Sequence, residues 1–241
     1  MEEDWLALAI GNSRLHWAHF NSSLLTATWD TSHLTALPAF ALSPSATELW
    51  IASVVPEQAL LWQKLPTVHW ITLDDIPLRE GYANLGLDRA LAVWAAGELL
   101  GWPVLVIDAG TSLTFTGASR DHQFKGGAIL PGLRLQLRSL AVKTAQLPEV
   151  QLGDQLPSRW GHNTPDAIRS GVVYTVLAGV REFVQAWQQQ FSNGAIVLTG
   201  GDGETLLSYL RDYDPNLAVL FTLDPHLIFW GIRMIRERRR A

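Results

Sequence analysis

Val104-Leu105-Val106-Ile107-Asp108-Ala109-Gly110-Thr111-Ser112-Leu113-Thr114-Phe115-Thr116 decides how the rest of the chain is read. An apolar run ends in an acid, a small turn follows with Gly110 and two hydroxyls, and the next segment alternates. The pattern predicts a buried strand, a tight turn and a second strand returning antiparallel. The turn carries chemistry of its own. Gly110 lets backbone N–H groups approach an anion, Thr111 and Ser112 add hydroxyl donors, and Asp108 at the strand end can hold a cation. A phosphate with its metal needs that combination.

The pattern recurs at Leu6-Ala7-Leu8-Ala9-Ile10-Gly11-Asn12-Ser13-Arg14-Leu15-His16-Trp17. Placing Gly11 on Gly110 sets Asn12 on Thr111, Ser13 on Ser112, and Ala9 where Asp108 stands. One such turn is commonly no more than a turn. Two in matched surroundings predict a duplicated α/β architecture with a single site served by both halves.

The bulk composition narrows the class. The chain has 241 residues, 48% of them hydrophobic and 17% charged, which is a globular composition with enough length for a substantial core. A formal charge of −5 argues against nonspecific nucleic-acid binding. The chain has no cysteine, hence neither disulfides nor thiolate metal sites, in keeping with a cytoplasmic protein. Met1-Glu2-Glu3-Asp4 is acidic where a signal peptide would be basic. The most membrane-like run, residues 90–107, holds Glu98 and Gly101 and is broken by Pro103, so it reads as a helix and then a strand. The 11 tryptophans are scattered and read as core and interface.

Taken in order, residues 5–29 predict a three-stranded meander, and 30–47 a connection with room for a short helix. Residues 49–55 read as a strand, 56–65 as a helix opened by Pro56, 68–73 as a strand and 74–84 as a loop. Gly86-Leu87-Asp88-Arg89 opens a helix to about Leu100. The second meander covers 104–108, 112–119 and 122–129, and the domain boundary is placed at 103/104, giving halves 1–103 and 104–241. A helix over 133–141, an irregular stretch over 144–163 and a long helix, or two, to about Gln190, capped by Thr164 with Pro165 first, follow. Strands at 195–199 and 217–221 and a last helix from about Asp224 complete the reading. The arginines of that helix, Arg233, Arg236, Arg238, Arg239 and Arg240, read as cations complementing a helix C-terminus, with an anionic partner as the alternative.

Four stations could carry chemistry: the Gly11 turn, Gly86–Arg89, the Gly110 turn and Gly200-Gly201. The last, after a strand, allows a planar group such as adenine to lie on flat backbone. Asp88 and Arg89 form either an acid–cation pair, with Asp88 accepting a hydroxyl proton, or a dipole-stabilised carboxylate beside an ordinary surface arginine. No GxxxxGK[ST] run, kinase-type Gly-rich loop, nucleophile elbow or histidine pair at metal-ligand spacing is present.

The ordered motifs Ala9–Ser13, Ser53–Pro56, Gly86–Arg89, Asp108–Thr111, Gly126–Gly132, Gly161–Thr164 and Thr199–Gly201 resemble those of type III pantothenate kinase over nearly the whole chain. The resemblance implies the acetate/sugar kinase–Hsp70–actin fold: two ribonuclease-H-like (actin-like ATPase) domains, mixed sheets flanked by helices, nucleotide between them, and a homodimer. It implies phosphorylation of pantothenate by ATP, the first committed step of coenzyme A synthesis, with Mg2+ and with K+ or NH4+. Position by position, it implies Asp88 as the base and Tyr82, Gly86, Leu87, Asp88, Arg89 and Thr164 as pantothenate contacts. The ATP contacts would be Ala9, Ile10, Gly11, Asn12, Ser13, Arg14, Leu15, His16, Thr111, Gly200 and Gly201, and the monovalent-cation ligand Asp108. Neither a nucleic acid nor a membrane is implied as a partner. Tyr82 resembles a family tyrosine near the substrate, with the loop after it about three residues shorter than usual. Ala9 stands where the family has aspartate, so the first-turn metal contact is missing. The alternative function is therefore an impaired nucleotide-binding relative with an accessory role; a kinase for another small hydroxy acid is a third.

Overall fold

The computed structural model describes residues 3–38, 41, 47–63, 65–66, 68–82 and 84–241. It divides into two compact units, Met1–Ala95 with His226–Ala241, and Ala96–Pro225. The predicted boundary at 103/104 lies a few residues past the observed one, and the final helix belongs with the first unit.

The first unit opens with three antiparallel strands, β1 (Asp4–Ile10), β2 (Leu15–Asn21) and β3 (Leu24–Thr31), followed by β4 (Glu48–Ser53) and β5 (Val68–Trp70). The sheet order is β3-β2-β1-β4-β5, with β4 and β5 parallel to β1. Alternation along β1 sends Leu6, Leu8 and Ile10 into a core with Leu49, Ile51 and Trp62. Trp5, Ala7 and Ala9 face the other way. Helices α1 (Pro56–Ala59) and α2 (Leu87–Leu100) complete this part of the chain, α2 starting in the first unit and ending in the second.

The second unit repeats the plan. Strands β6 (Val104–Ala109), β7 (Ser112–Ala118) and β8 (Phe124–Pro131) form the meander, and β9 (Ala195–Thr199) and β10 (Phe221–Leu223) add in parallel. Its order, β10-β9-β6-β7-β8, is the first sheet's order with each strand replaced by its counterpart. Even the pairing irregularity recurs, between His19 and Phe20 in β2 and between Gly117 and Ala118 in β7. Helices α3 (Leu133–Lys143), α4 (Thr164–Gln190), α5 (Gly203–Tyr213) and α6 (Pro215–Ala218) belong to it. Val173, Val176, Leu177 and Val180 of α4 share one core with Leu105 and Ile107. Apolar residues at three- and four-residue spacing give α4 that buried stripe.

Several expectations are corrected. The helix after Pro56 ends at Ala59, and β5 stops at Trp70 before a 3-10 turn over Leu73–Asp75, so 68–73 is not one strand. Asn163, not Thr164, caps α4: its side chain accepts from Asp166 N–H. The strand predicted over 217–221 is instead α6 followed by β10, because Asp214 caps at Leu217 N–H and Pro215 presets the first helical φ. The short helix entertained within 30–47 falls partly on 39–40 and 42–46, outside the described residues.

The last helix, α7 (Leu227–Arg240), packs on the first sheet. Gly231 lies so close to Leu91 that a Cβ there would stand 2.7 Å from the Leu91 carbonyl oxygen, which brings α7 onto α2. Four of its five arginines, Arg233, Arg236, Arg239 and Arg240, find partners within the chain. Arg236, 5% exposed, sits over the Trp5 ring at 4.6 Å and donates to Glu48 and Glu3, both at 2.9 Å. Arg239 donates to Asp75 and to the Trp70 carbonyl, each at 2.9 Å. Arg240 reaches Glu48 at 2.7 Å. Among the residues described, these arginines clamp the helix to its sheet, beyond any complement to the helix C-terminus.

Candidate functional site

In the first unit, β1 runs into the Gly11 turn. Gly11 N–H donates to the Arg14 carbonyl at 3.0 Å, and the Gly11 carbonyl pairs with His33 Nε2 at 2.8 Å. Asn12, Ser13 and Arg14 are exposed at the tip. In the second unit Gly110 N–H donates to the Ser112 carbonyl at 3.0 Å. These two bonds set the equivalence of the turns. Gly11 matches Gly110, as the sequence predicted, but Arg14 takes the ladder position of Ser112. The first turn is one residue longer, so the equivalence of Ser13 and Ser112 does not hold.

Strand register also shows what surrounds Ala9. Ala9 is 2% exposed and lies opposite His16 on one side and Ala52 on the other. His16 lies in turn opposite Asp30, and its Nδ1 is 2.8 Å from Asp30 Oδ1. The matching row of the second unit is Asp108, flanked by Thr114 and Thr199. Position 9 is therefore a packed apolar position. The described residues contain no group of three or more His, Cys, Asp or Glu able to hold a metal.

Asp108 is built differently. A Cβ at Gly200 would collide with its Oδ1 and with the Ala109 carbonyl, and Gly200 has φ +90, so only glycine lets the chain after β9 lie against the carboxylate. Asp202 N–H donates to the Ala109 carbonyl at 2.8 Å and Gly132 N–H to that of Thr111 at 2.9 Å. Three motifs distant in sequence (108–111, 126–132 and 199–202) are thus pinned together by their backbones. The crevice between them, lined by Gly110, Gly132, Leu133 and Asp202, is too tight to admit a water molecule. They form a solid platform with Thr111 at its turn.

Gly86–Arg89 begins α2. Asp88 Oδ1 accepts from Arg89 N–H at 2.8 Å, and Arg89 Nη1 donates to the Tyr82 hydroxyl at 2.8 Å. Arg89 is 7% exposed, which removes the reading of it as an ordinary surface arginine. Tyr82, 47% exposed, and half-buried Asp88 stand with it in one cluster. A Cβ at Gly86 would be 2.6 Å from Asp88 Oδ1, so the glycine leaves room for the acid. Leu87 is buried, 9% exposed, and anchors the helix start. Thr164, exposed, is the first residue of α4 in the second unit. Gly161 lies against the Asp166–Ala167 backbone, where a Cβ would be 2.6 Å from Asp166 C, which explains the glycine of that motif. Two charged residues escaped the sequence reading. Arg134 donates from Nε to Asp202 Oδ1 at 2.7 Å, a pair 68 residues apart that only the folded platform joins.

Paired sheets of identical order, each with a glycine turn after its first strand, define the class of sugar-kinase and actin-like ATPase folds. The ROK hexokinase of Thermus thermophilus superposes with a TM-score of 0.50 at 14% identity, covering 96% of this chain and 98% of that one. A structure from Campylobacter jejuni described as a Baf family transcriptional activator gives 0.70 at 20% identity, covering 98% and 100%. Both likenesses concern the fold. Residues 5–186 match the family profile of type III pantothenate kinase. The type III pantothenate kinase of Nostoc sp. is 47% identical over 262 residues, covering 98% of this chain and 95% of the relative. The chain belongs to the type III pantothenate kinase family.

Proposed function

We propose that this protein transfers the γ-phosphoryl group of ATP to the primary hydroxyl of pantothenate, opening coenzyme A synthesis. One observation carries the reading: the Asp88–Arg89–Tyr82 cluster at the start of α2, in a chain of this family. Asp88 is the base. Of the acceptor sites of its carboxylate, one is used by Arg89 N–H, which fixes the carboxylate plane. The substrate oxygen attacks phosphorus, its proton passes to Asp88, and the bond from phosphorus to the bridging oxygen of ADP breaks. In a loose transition state the proton leaves late, so orientation counts for more than basicity. Arg89 and Tyr82, with Gly86, Leu87 and Thr164, contact pantothenate, and buried Arg89 supplies positive charge for its carboxylate.

The Gly11 turn (Ala9 to His16) and Thr111 take the phosphates of ATP through N–H and hydroxyl donors, and Gly200-Gly201 faces its base. The carboxylate of Asp108, cradled by Gly200, suits a monovalent cation, which when bound adds positive charge near the phosphates. Position 9 offers Mg2+ no ligand, being a buried alanine between Ala52 and His16. No step is assigned to a metal there. The family resemblance supports a homodimer and a cytoplasmic location. Light scattering of the purified chain reads the former.

The deciding experiment is a coupled assay with pantothenate, ATP, Mg2+ and K+, and with K+ omitted. Phosphopantothenate formed by the wild type and reduced by ~10²-fold or more in Asp88→Asn, the scale of general-base loss, supports the reading. No product at saturating substrate rejects it. Equal losses of activity and thermal stability in Asp88→Asn would reassign that residue to structure.

A further inference from the structure

We infer that Arg134 is a phosphate-binding residue for the nucleotide, held in place by Asp202; this rests on the second unit's glycine turns holding ATP. The side chain of Asp202 is only 8% exposed, and that of Arg134 is 59% exposed. A carboxylate this buried is costly unless paired, and its partner here is the guanidinium. Asp202 precedes α5 in the N-cap position, yet its side chain makes no capping bond and is turned to Arg134 instead. Its backbone N–H is meanwhile fixed to the Ala109 carbonyl at 2.8 Å. The carboxylate is thus a rigid anchor, built into the same platform as the Gly110 turn.

The anchor takes the guanidinium by one edge only. The bond comes from Nε, and among the described residues the two Nη groups of Arg134 have no hydrogen-bond partner. Arg134 follows Gly132 by two residues, and Gly132 is tied to Thr111 at 2.9 Å. The unused fork therefore belongs to the short segment that buttresses the phosphate turn. A planar fork with parallel N–H donors matches a phosphate oxygen pair, and a lysine in its place would lose both the Nε anchor and the fork. A purely structural ion pair would not need its cation left more than half exposed, since an exposed pair contributes little to stability.

The test measures binding to the whole protein of ATP and of adenosine, by calorimetry without pantothenate, for wild type, Arg134→Gln, Arg134→Lys and Asp202→Asn. The melting temperature of each is read alongside. Arg134→Gln should weaken ATP about 10-fold, the order of one lost charge-assisted contact, with adenosine binding unchanged, and should lower the melting temperature, since buried Asp202 loses its cation. Arg134→Lys should recover only part of the loss, and Asp202→Asn should weaken ATP in the same direction. ATP affinity unchanged in Arg134→Gln overturns the assignment, and so does an equal loss for ATP and adenosine, which would put the arginine on the base. A fall in melting temperature without loss of ATP binding would make the pair structural. Because the readout is nucleotide binding, a wild type that binds ATP but fails to phosphorylate pantothenate sinks the kinase reading and leaves this one standing.

Discussion

At Gly86 the space that matters belongs to a neighbour. Its φ is not among the positive ones, so the backbone accepts a side chain, but a Cβ would lie 2.6 Å from Asp88 Oδ1. Gly86→Ala should swing the carboxylate away from its bond with Arg89 N–H. Misplacing a reacting group by about 1 Å costs on the order of 10²-fold, so kcat should fall by that order while ATP affinity and melting temperature hold. Retained kcat would show that Asp88 is not positioned by this gap. Ala9 makes the converse case. It is 2% exposed, and an aspartate there would bury a carboxylate between Ala52 and His16. Ala9→Asp should cost about 1–3 kcal/mol of stability, the scale for an unsatisfied buried polar group, in urea unfolding without nucleotide. A variant as stable as wild type would mean that position 9 is still furnished for an acid. Asp88 and Gly86 were legible as a motif. The burial of Arg89 was not, because a charged residue at a helix start is usually solvated and only the fold around Tyr82 encloses it.

Among the elements, the two meanders were the clearest feature of the sequence. Alternation marks their strands, and the residues after Ile10 and Ala109 can only turn. The order of the sheets follows from this, since β1 and β6 each sit between an antiparallel hairpin partner and a parallel neighbour. Boundaries set by single capping residues were harder. Thr164 and Asn163 are both good caps, and which one serves depends on whose side chain reaches an N–H three residues on. Asn163 Oδ1 reaches Asp166 N at 2.9 Å, while Asn163 Nδ2 donates to the Asp166 carboxylate at 2.8 Å. Asn163→Ala should therefore cost about 1 kcal/mol in urea unfolding, whereas Thr164→Ala should leave stability nearly unchanged and act on pantothenate KM. Reversed effects would restore Thr164 as the cap. The region 217–221 misled because Leu217-Ala218-Val219-Leu220-Phe221 is a short unbroken apolar run, which a buried strand and a helical turn share, although Asp214 and Pro215 had already set a helical turn.

Across the whole chain, the last helix is tied to Glu3, just ahead of the first strand, by a pair 237 residues apart. Composition alone showed the arginines but not their acids, since Glu3, Glu48 and Asp75 come together only when the sheet has formed. The clamp makes stability depend on pH. Hydrogen bonds from Arg240 and Arg236 hold Glu3 down at about 2, from 4.5. Burial, the largest single effect, would raise Glu48 and Asp75, but Arg236 with Trp50 and Arg240 at the first, and Arg239 with Thr72 at the second, together keep both below their ordinary values. A carboxylate lowered on folding stabilises the fold above its unfolded value, and that contribution disappears as pH falls toward the folded one. For Glu3 the window runs from 4.5 down to about 2. Unfolding free energies at pH 7 and pH 3 should differ by less in Arg240→Gln than in wild type, because the variant has already lost part of what acid removes. Arg236→Ala should cost more at neutral pH, about 2 kcal/mol, the scale of a lost hydrogen bond to a charged group, since Glu48 keeps Arg240 but loses its buried partner and Trp5 is uncovered. If wild type and Arg240→Gln lose equal stability between the two pH values, the acid sensitivity lies elsewhere and the arginines hold the helix by packing on tryptophan alone.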